Sequence, residues 1–109
     1  MTREQIHQKL EGAKLRVDLY GKSYQTVFHV SQHSNGRIAL ELVSDDIYRE
    51  PFATLTVNLP QAKIGQDEII VKTWSENEDV AKSALAGGGF VDTGKRIPAG
   101  VEARIWKIL

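Results

Sequence analysis

The stretch Glu50-Pro51-Phe52-Ala53-Thr54-Leu55-Thr56-Val57-Asn58-Leu59-Pro60 decides the predicted fold. Apolar side chains recur at every second residue between Ala53 and Leu59, which is the period of a strand with one face in a core. Proline cannot donate to a sheet ladder, so Pro51 suits the first residue of a strand and Pro60 suits its end. We therefore predict a strand over this stretch, with its alanine, valine and leucine side chains facing inward.

Two β-hairpins are predicted before this strand. Leu15 to Leu19 alternates apolar and polar residues, and the turn Gly21-Lys22-Ser23 separates it from a second alternating run, Tyr24 to Val30. The next turn, Ser34-Asn35-Gly36, contains an Asn-Gly pair, which suits a type I′ hairpin because both residues tolerate positive φ. Arg37 to Val43 alternates again, so the sequence predicts an antiparallel meander.

The second half of the chain predicts one helix and two further strands. Glu68 to Trp74 alternates as a strand, and Ser75-Glu76-Asn77-Glu78 has the form of a capping box. This box starts a helix over about residues 76–86. Gly87-Gly88-Gly89 ends the helix, because glycine readily adopts a left-handed C-cap. A last strand is predicted from Val101 to Leu109.

The predicted fold class is α+β, with five or six antiparallel strands and the 76–86 helix packed on one face of the sheet. A capping box at Thr2 and Gln5 also allows a short N-terminal helix. Asp92 to Gly100 is predicted as a loop. A chain of 109 residues is long enough for one domain and too short for two, so residues 1–109 are predicted as a single domain.

Composition excludes several classes of function. Lys and Arg together number 14, as do Asp and Glu, so the formal net charge is zero and no overall field attracts nucleic acid or an anionic membrane. The chain has no cysteine, which removes disulfides and thiolate chemistry and indicates a reducing compartment. Met1 to Lys9 is too polar for a signal peptide, and no apolar run approaches the ~20 residues of a membrane span. A cytoplasmic protein without a membrane partner is predicted.

Three sequence patterns bear on catalysis or on the binding of a phosphate or a metal. Gly89 to Lys95 fits the G-x-x-x-x-G-K core of a phosphate-binding loop, but a helix precedes it and Arg96 holds the position of the magnesium-binding hydroxyl. His29 and His33 are ~13 Å apart on an extended segment, too far for one metal. No serine lies in a nucleophile elbow. We therefore predict that the chain is not an enzyme and holds no catalytic, cofactor-binding or metal-binding residues.

Eight residues are predicted to contact a partner, because binding residues concentrate in loops on a rigid sheet. Five lie in a polar loop after the third strand and three lie toward the C-terminus: Asp45, Asp46, Tyr48, Arg49, Glu50, Lys95, Arg96 and Arg104. Tyr48 is predicted to be exposed, because charged residues flank it in this loop.

The last three residues, with Lys107, could form a basic patch beside Trp106, and an aromatic next to positive charge is what a single-strand binder uses. Trp106 also fits a core position, as does Trp74, so both tryptophans stay open between core and interface.

Three segments carry a family resemblance: Glu50 to Pro60, Trp74 to Glu78, and Asp92 to Ala103. They resemble, in the same order, an uncharacterised family of small proteins from bacterial plasmids, conjugative elements and phages, a domain of unknown function. The E-P-F-A-T-L-T-V-N-L-P strand is the most specific part of the resemblance. The family has no agreed active site, so the resemblance implies a genetic context and no catalytic residue.

The resemblance implies an inhibitor of host defence, because small mobile-element proteins without catalytic residues often block a defence complex by binding it, as anti-CRISPR proteins do. The leading prediction is therefore a protein-binding, non-enzymatic inhibitor whose partner is a host defence effector complex. Two alternatives stay open, a nucleic-acid-binding accessory protein and an enzyme acting on a nucleotide. Monomer and homodimer both stay open, since a free sheet edge can pair with a copy of itself.

Overall fold

A computed structural model describes residues 1–98 and 102–109 of the chain and shows an α+β fold, as the sequence predicts. In chain order the elements are α1 (Arg3–Leu10), β1 (Lys14–Leu19), β2 (Lys22–Gln32), β3 (Ile38–Ser44), β4 (Pro51–Thr54), β5 (Glu68–Lys72), α2 (Glu78–Ala86), β6 (Phe90–Pro98) and β7 (Glu102–Ile108). A 3₁₀ turn, Ser75–Asn77, leads directly into α2.

The described strands form two antiparallel sheets, where the sequence predicts one sheet. The first has the order β1-β2-β3-β4 and the second has the order β5-β7-β6. Seven strands replace the predicted five or six, partly because Phe90–Pro98, predicted mainly as a loop, pairs with β7. The end of that predicted loop, Ala99 and Gly100, lies outside the described residues, as does Val101 of the predicted C-terminal strand.

The first sheet follows the predicted meander. β1 pairs with β2 and β2 with β3 in antiparallel register, so alternate side chains share one face. The face that points into the core buries Leu15, Val17, Thr26, Phe28, Val30, Ile38, Leu40 and Leu42. The two hairpins predicted from alternation are therefore confirmed.

The turn between β2 and β3 differs from the predicted type I′ geometry. Gly36 has a φ of +84°, but Asn35 does not adopt positive φ. His33 N donates to Arg37 O at 2.8 Å, and Gly36 N donates to His33 O at 2.8 Å. These bonds close a loop of three residues with glycine at the left-handed position, the commonest alternative to a two-residue hairpin.

The predicted organising strand is short, because the chain leaves the first sheet within it. β4 ends at Thr54, although the sequence predicts a strand to Leu59. Leu55 N donates to Leu40 O in the first sheet at 2.9 Å, and Leu55 O accepts from Lys72 N in the second sheet at 2.9 Å. The two backbone groups of Leu55 therefore bond to different sheets.

Thr56 and Val57 continue this connection. The Thr56 hydroxyl oxygen accepts a buried hydrogen bond from Leu40 N at 3.1 Å, and Val57 N donates to Ile70 O at 3.0 Å. A buried amide needs such an acceptor, since leaving it unpaired costs ~1–3 kcal/mol. We call residues 55–57 the inter-sheet joint.

Only part of the predicted inward face of this stretch is fully buried. Leu55 is 0% exposed, whereas Ala53, Val57 and Leu59 are half-buried. The two-residue period applies only while a chain stays in one sheet, and this chain changes sheets after β4. The predicted face is therefore confirmed at Leu55 and is wrong as a continuous strand face.

The predicted capping box of α2 does not form. Ser75 adopts a φ of +57°, and its hydroxyl bonds to the Glu76 carboxylate, which is the largest cause that lowers the pKa of Glu76 to about 2. The N-cap of α2 is Asn77, which makes no side-chain cap bond. Its buried amide instead donates to Thr54 O at 3.2 Å and to Lys72 O at 2.7 Å. Asn77 thus ties α2 to both sheets, and Ser75 is not a helix cap.

The other helical features match the sequence. Thr2 and Gln5 form a reciprocal capping box at the start of α1, and Gly88 after α2 has a φ of +85°, as a left-handed C-cap requires. In the described part of the chain no helix has the length and apolar character to cross a membrane.

The core closes between the sheets through aromatic contacts. The ring of Phe90 lies 5.8 Å from that of Phe28 and 5.6 Å from that of Trp106, measured between centroids. Trp106 is 2% exposed and belongs to the core. Trp74 is half-buried, with Lys72 Nζ 5.9 Å from the centre of its ring. The choice that the sequence left open for Trp106 is therefore settled in favour of the core.

Leu55→Ala is expected to lower the free energy of unfolding by ~2–5 kcal/mol, because it removes a fully buried side chain where the sheets meet. Leu59→Ala is the matched control, since Leu59 is half-buried and should cost clearly less. Urea unfolding of both variants measures the difference. Equal free energies of unfolding for the two variants would show that Leu55 in the joint contributes no more to stability than Leu59 does.

Candidate functional site

The eight predicted contact residues lie on different sheets. Five belong to the 44–50 loop, which we define as Ser44–Glu50 between β3 and β4, and the other three lie in β6 and β7. The loop residues are Asp45, Asp46, Tyr48, Arg49 and Glu50, and the strand residues are Lys95, Arg96 and Arg104. Placing Lys95 and Arg96 in a loop was wrong, because both lie in β6, where Arg96 pairs with Arg104 of β7 after a register shift between Asp92 and Arg96.

The 44–50 loop is held by its own side chains. One oxygen of Asp46 accepts from the Ser44 hydroxyl at 2.8 Å, from Tyr48 N at 2.9 Å and from Arg49 N at 3.1 Å. The Ser44 hydroxyl oxygen accepts from Glu50 N at 2.8 Å, and Ser44 N donates to Glu50 O at 2.8 Å. Aspartate and serine commonly stabilise turns in this way. The loop therefore has a defined conformation.

The ionised form of Asp46 is the form that holds the loop. The Ser44 hydroxyl, followed by the amides of Tyr48 and Arg49, lowers the pKa of Asp46 below its ordinary value of 3.8. Hydrogen bonds to a carboxylate favour its charged state. The pKa of Asp46 is lower in the folded protein than in the unfolded chain. The stabilisation that its hydrogen bonds give is therefore fully present above pH 3.8 and is lost as the pH falls through the lowered pKa.

The end of the loop carries a strained residue. Arg49 has a φ of +48°, a conformation that costs about 1 kcal/mol or more for a residue with a Cβ. Arg49 Nη1 lies 3.7 Å from Asp45 Oδ1, and Lys14 Nζ lies 3.7 Å from Asp45 Oδ2. The strained conformation is thus held by the bonds to Asp46 and supported by charge around Asp45.

Two large side chains project from this fixed loop. Ile47 and Tyr48 are 89% and 74% exposed, which confirms the sequence expectation that Tyr48 lies on the surface. Ile47 was not among the eight predicted residues, although a large aliphatic residue inside a polar loop is an available signal for a binding surface.

Further aromatic residues lie at the same end of the first sheet. β1 and β3 end here and β2 and β4 begin here, since neighbouring strands are antiparallel. Tyr20, in the β1–β2 turn, is 89% exposed, and the rings of Tyr24 and Phe52 are 5.3 Å apart. We call this surface the aromatic end: Tyr20, Tyr24, Ile47, Tyr48 and Phe52. Tyr20 was not among the residues predicted from the sequence to contact a partner.

The predicted basic patch is divided. Lys95 Nζ lies 3.4 Å from Glu68 Oε2, and the Arg104 guanidinium pairs with Asp92 at 2.6 Å. Arg104 and Lys107 are three residues apart on β7, so their side chains point to opposite faces of the sheet. Trp106 is buried and offers no stacking surface. Arg96 lies opposite Arg104 on the neighbouring strand, but these residues do not form a single patch around an exposed aromatic side chain.

The segment that resembles a phosphate-binding loop lies mostly in a strand. Residues 90–95 lie in β6, and side chains occupy the amides that a phosphate would need: Gly94 N donates to Asp92 Oδ1 at 2.9 Å and Lys95 N donates to Thr93 Oγ1 at 3.2 Å. Such a motif binds phosphate only when its amides are free and a helix follows.

His29 and His33, which were predicted to lie too far apart to share a metal, contact different groups. His29 Nδ1 lies 3.2 Å from Glu11 Oε1, whereas His33 Nε2 lies 3.2 Å from the Thr56 hydroxyl. Burial, followed by the charge of Arg37, lowers the pKa of His33, which favours its neutral form near the inter-sheet joint.

No protein-family model, curated protein or solved structure matches the chain. The resemblance to a family of mobile-element proteins therefore stays a prediction.

Asp46→Ala is expected to mobilise the 44–50 loop while the core stays folded, because it removes the acceptor of three hydrogen bonds. Heteronuclear NOE values of Ile47 and Tyr48 should fall toward those of a flexible loop. Glu50→Ala, which removes a carboxylate from the same loop, should leave these values unchanged. Rigid loop amides in Asp46→Ala would show that other contacts fix the loop.

Proposed function

We propose that this chain is a non-enzymatic binding protein that recognises another protein through the aromatic end. What supports the proposal most is the 44–50 loop, in which Asp46 fixes the backbone while Ile47 and Tyr48 point into solvent. A large exposed apolar side chain contributes little to the stability of the free protein. A fixed loop holds such side chains in place before a partner binds.

The chemistry of the aromatic end fits the centre of a protein interface. Tyrosine is enriched among the residues that carry most binding energy, because it buries a large apolar area and keeps a hydroxyl for hydrogen bonding. Tyr20 and Tyr48 are both well exposed and flank the same end of the sheet. A loop ordered in advance reduces the conformational entropy that binding would otherwise remove.

The charge of the loop favours a basic partner surface. Asp45, Asp46 and Glu50 oppose a single cation, Arg49, within the loop. Complementary charge speeds association and selects partners, and protein surfaces that bind nucleic acid are basic. An acidic loop with an apolar centre is thus suited to a surface on which a nucleic-acid-binding complex normally holds its substrate.

The partner we propose is a host defence effector complex that acts on nucleic acid in the bacterial cytoplasm. Two things support this choice: the acidic character of the loop and the resemblance to small proteins of plasmids, conjugative elements and phages. On this proposal the protein acts as an anti-defence inhibitor of the anti-CRISPR type, by occupying the effector surface.

The test is a plasmid-transformation assay in bacteria that carry a CRISPR effector directed against the plasmid, repeated across effector types. The wild-type protein should restore transformation with at least one type and copurify with its effector. Replacing Ile47 and Tyr48 together by alanine should weaken that complex about 30-fold or more, as truncation of interface hot spots does.

Val91→Ser is the matched control, because Val91 is also an exposed apolar residue, at 46% exposure, but lies on the second sheet. It should protect the plasmid as well as the wild type does. Absence of both protection and complex formation with every effector type would refute the defence partner. Full protection by the double alanine variant would refute the aromatic end as the contact surface.

A further inference from the structure

A second surface lies at the opposite end of the first sheet, where β2 is longer than its neighbour. β1 begins at Lys14, opposite Val27, and the residues just before it still bond to Phe28. β2 continues to Gln32, while the chain before β1 turns away into α1. The last residues of β2 therefore have a neighbouring strand, β3, on one side only.

The free side of β2 presents backbone groups for pairing. Alternate residues of a central antiparallel strand bond to opposite neighbours. Phe28 N donates to Ala13 O on the β1 side, and His33 N donates to Arg37 O on the β3 side. Val30 and Gln32 have the parity of Phe28, so their N–H and C=O groups point to the side where β1 is missing.

Part of this edge is already satisfied by a side chain. Glu11 Oε1 accepts from Val30 N at 2.9 Å, in the place where a carbonyl oxygen of a paired strand would lie. Both residues have Cα partners in β3, Leu40 and Ile38 respectively, but on the β1 side no strand of residues 1–98 or 102–109 pairs with Val30 or Gln32. Unpaired strand edges are the surfaces to which extended segments of other proteins add.

A groove of about 290 Å³ follows this edge. Arg3, Glu4 and His7 of α1 form one wall and the end of β2 forms the other. The apolar side chains of Val30 and Ile38 contribute to the lining. We call it the α1–β2 groove. A helix facing a strand edge across an apolar groove is the arrangement that accepts an extended peptide.

The charge in the groove defines one feature of its occupant. Arg3 also lines a neighbouring cavity together with Arg37, and its guanidinium lies against Gly36, where a Cβ would be 3.1 Å from Arg3 Nη2. Arg3 forms no ion pair with a carboxylate of residues 1–98 or 102–109. A guanidinium binds carboxylates through two parallel hydrogen bonds, so the occupant should place a carboxylate here.

We propose that the α1–β2 groove binds an extended peptide segment of a partner protein, which adds as a strand to the free edge of β2 and places an acidic side chain or its C-terminal carboxylate on Arg3. The Glu11 carboxylate lies at the other end of the free edge and repels a second acid, so charge sets the direction of the peptide. This site goes beyond the proposed function, because it lies at the far end of the sheet from the aromatic end.

The test uses a random dodecapeptide library displayed on phage and selected against the immobilised full chain. Enriched sequences should share an acidic residue next to an alternating run of β-branched residues. The dissociation constant of a synthetic enriched peptide should rise about tenfold or more in Arg3→Glu and in Gln32→Pro. Proline removes only an N–H that pairs with no strand, a place where strands tolerate it.

Lys9→Glu and Tyr48→Ala are the matched controls and should bind the peptide as the wild type does. The first makes the same kind of charge change on α1, and the second alters the aromatic end. A measurement on the wild-type chain guards against misfolding of Gln32→Pro: the peptide should slow hydrogen exchange of the Gln32 amide.

Three results would overturn the proposal. They are a selection that enriches no peptide, a peptide that binds Gln32→Pro and Arg3→Glu with unchanged affinity, and a peptide that weakens on Tyr48→Ala while the Gln32 amide stays unprotected. None of these outcomes excludes binding of a defence effector at the aromatic end, so the two proposals fail separately.

Discussion

Leu55 makes one backbone hydrogen bond to each sheet, and these two bonds join the sheets. Its N–H donates to Leu40 O in the first sheet, and its C=O accepts from Lys72 N in the second. The adjacent Thr56 hydroxyl oxygen accepts from the buried Leu40 N. Because Leu40 and Leu55 are both 0% exposed, these bonds form where water cannot replace them, and breaking one leaves a buried group unpaired.

Each end of the first sheet carries a candidate site. The 44–50 loop lies at one end, where Asp46 holds its backbone and Asp45 N donates to Gln25 O of β2 at 3.1 Å. At the other end α1 turns away from β2 and leaves the groove beside Arg3. Apolar contacts and buried backbone hydrogen bonds stabilise the two sheets. The two candidate sites lie at the surface and are held in place by polar contacts.

The sequence predicts those parts of the fold in which local pattern and tertiary partner agree. Alternation found β1, β2 and β3, because each stays in one sheet, and it failed after Thr54, because side-chain period does not reveal which sheet accepts the backbone bond of Leu55. Ser75 fits a helix cap by spacing, but Asn77 bonds to both sheets, and tertiary contacts override the local signal there. In the candidate site, the exposure of Tyr48 could be predicted from its polar neighbours. The position of Tyr20 at the same end of the sheet could not be predicted in this way, because it depends on the order of the strands.

We expect the inter-sheet joint to make the two sheets one cooperative unit, which native-state hydrogen exchange of the wild-type chain can measure. The amides of Phe28, Leu55 and Lys72 report on the first sheet, the joint and the second sheet. All three amides should exchange with the same free energy, equal to that of global unfolding. Exchange of the Lys72 amide at a clearly lower free energy than the Phe28 amide would show that the second sheet opens independently and that the joint does not couple the sheets.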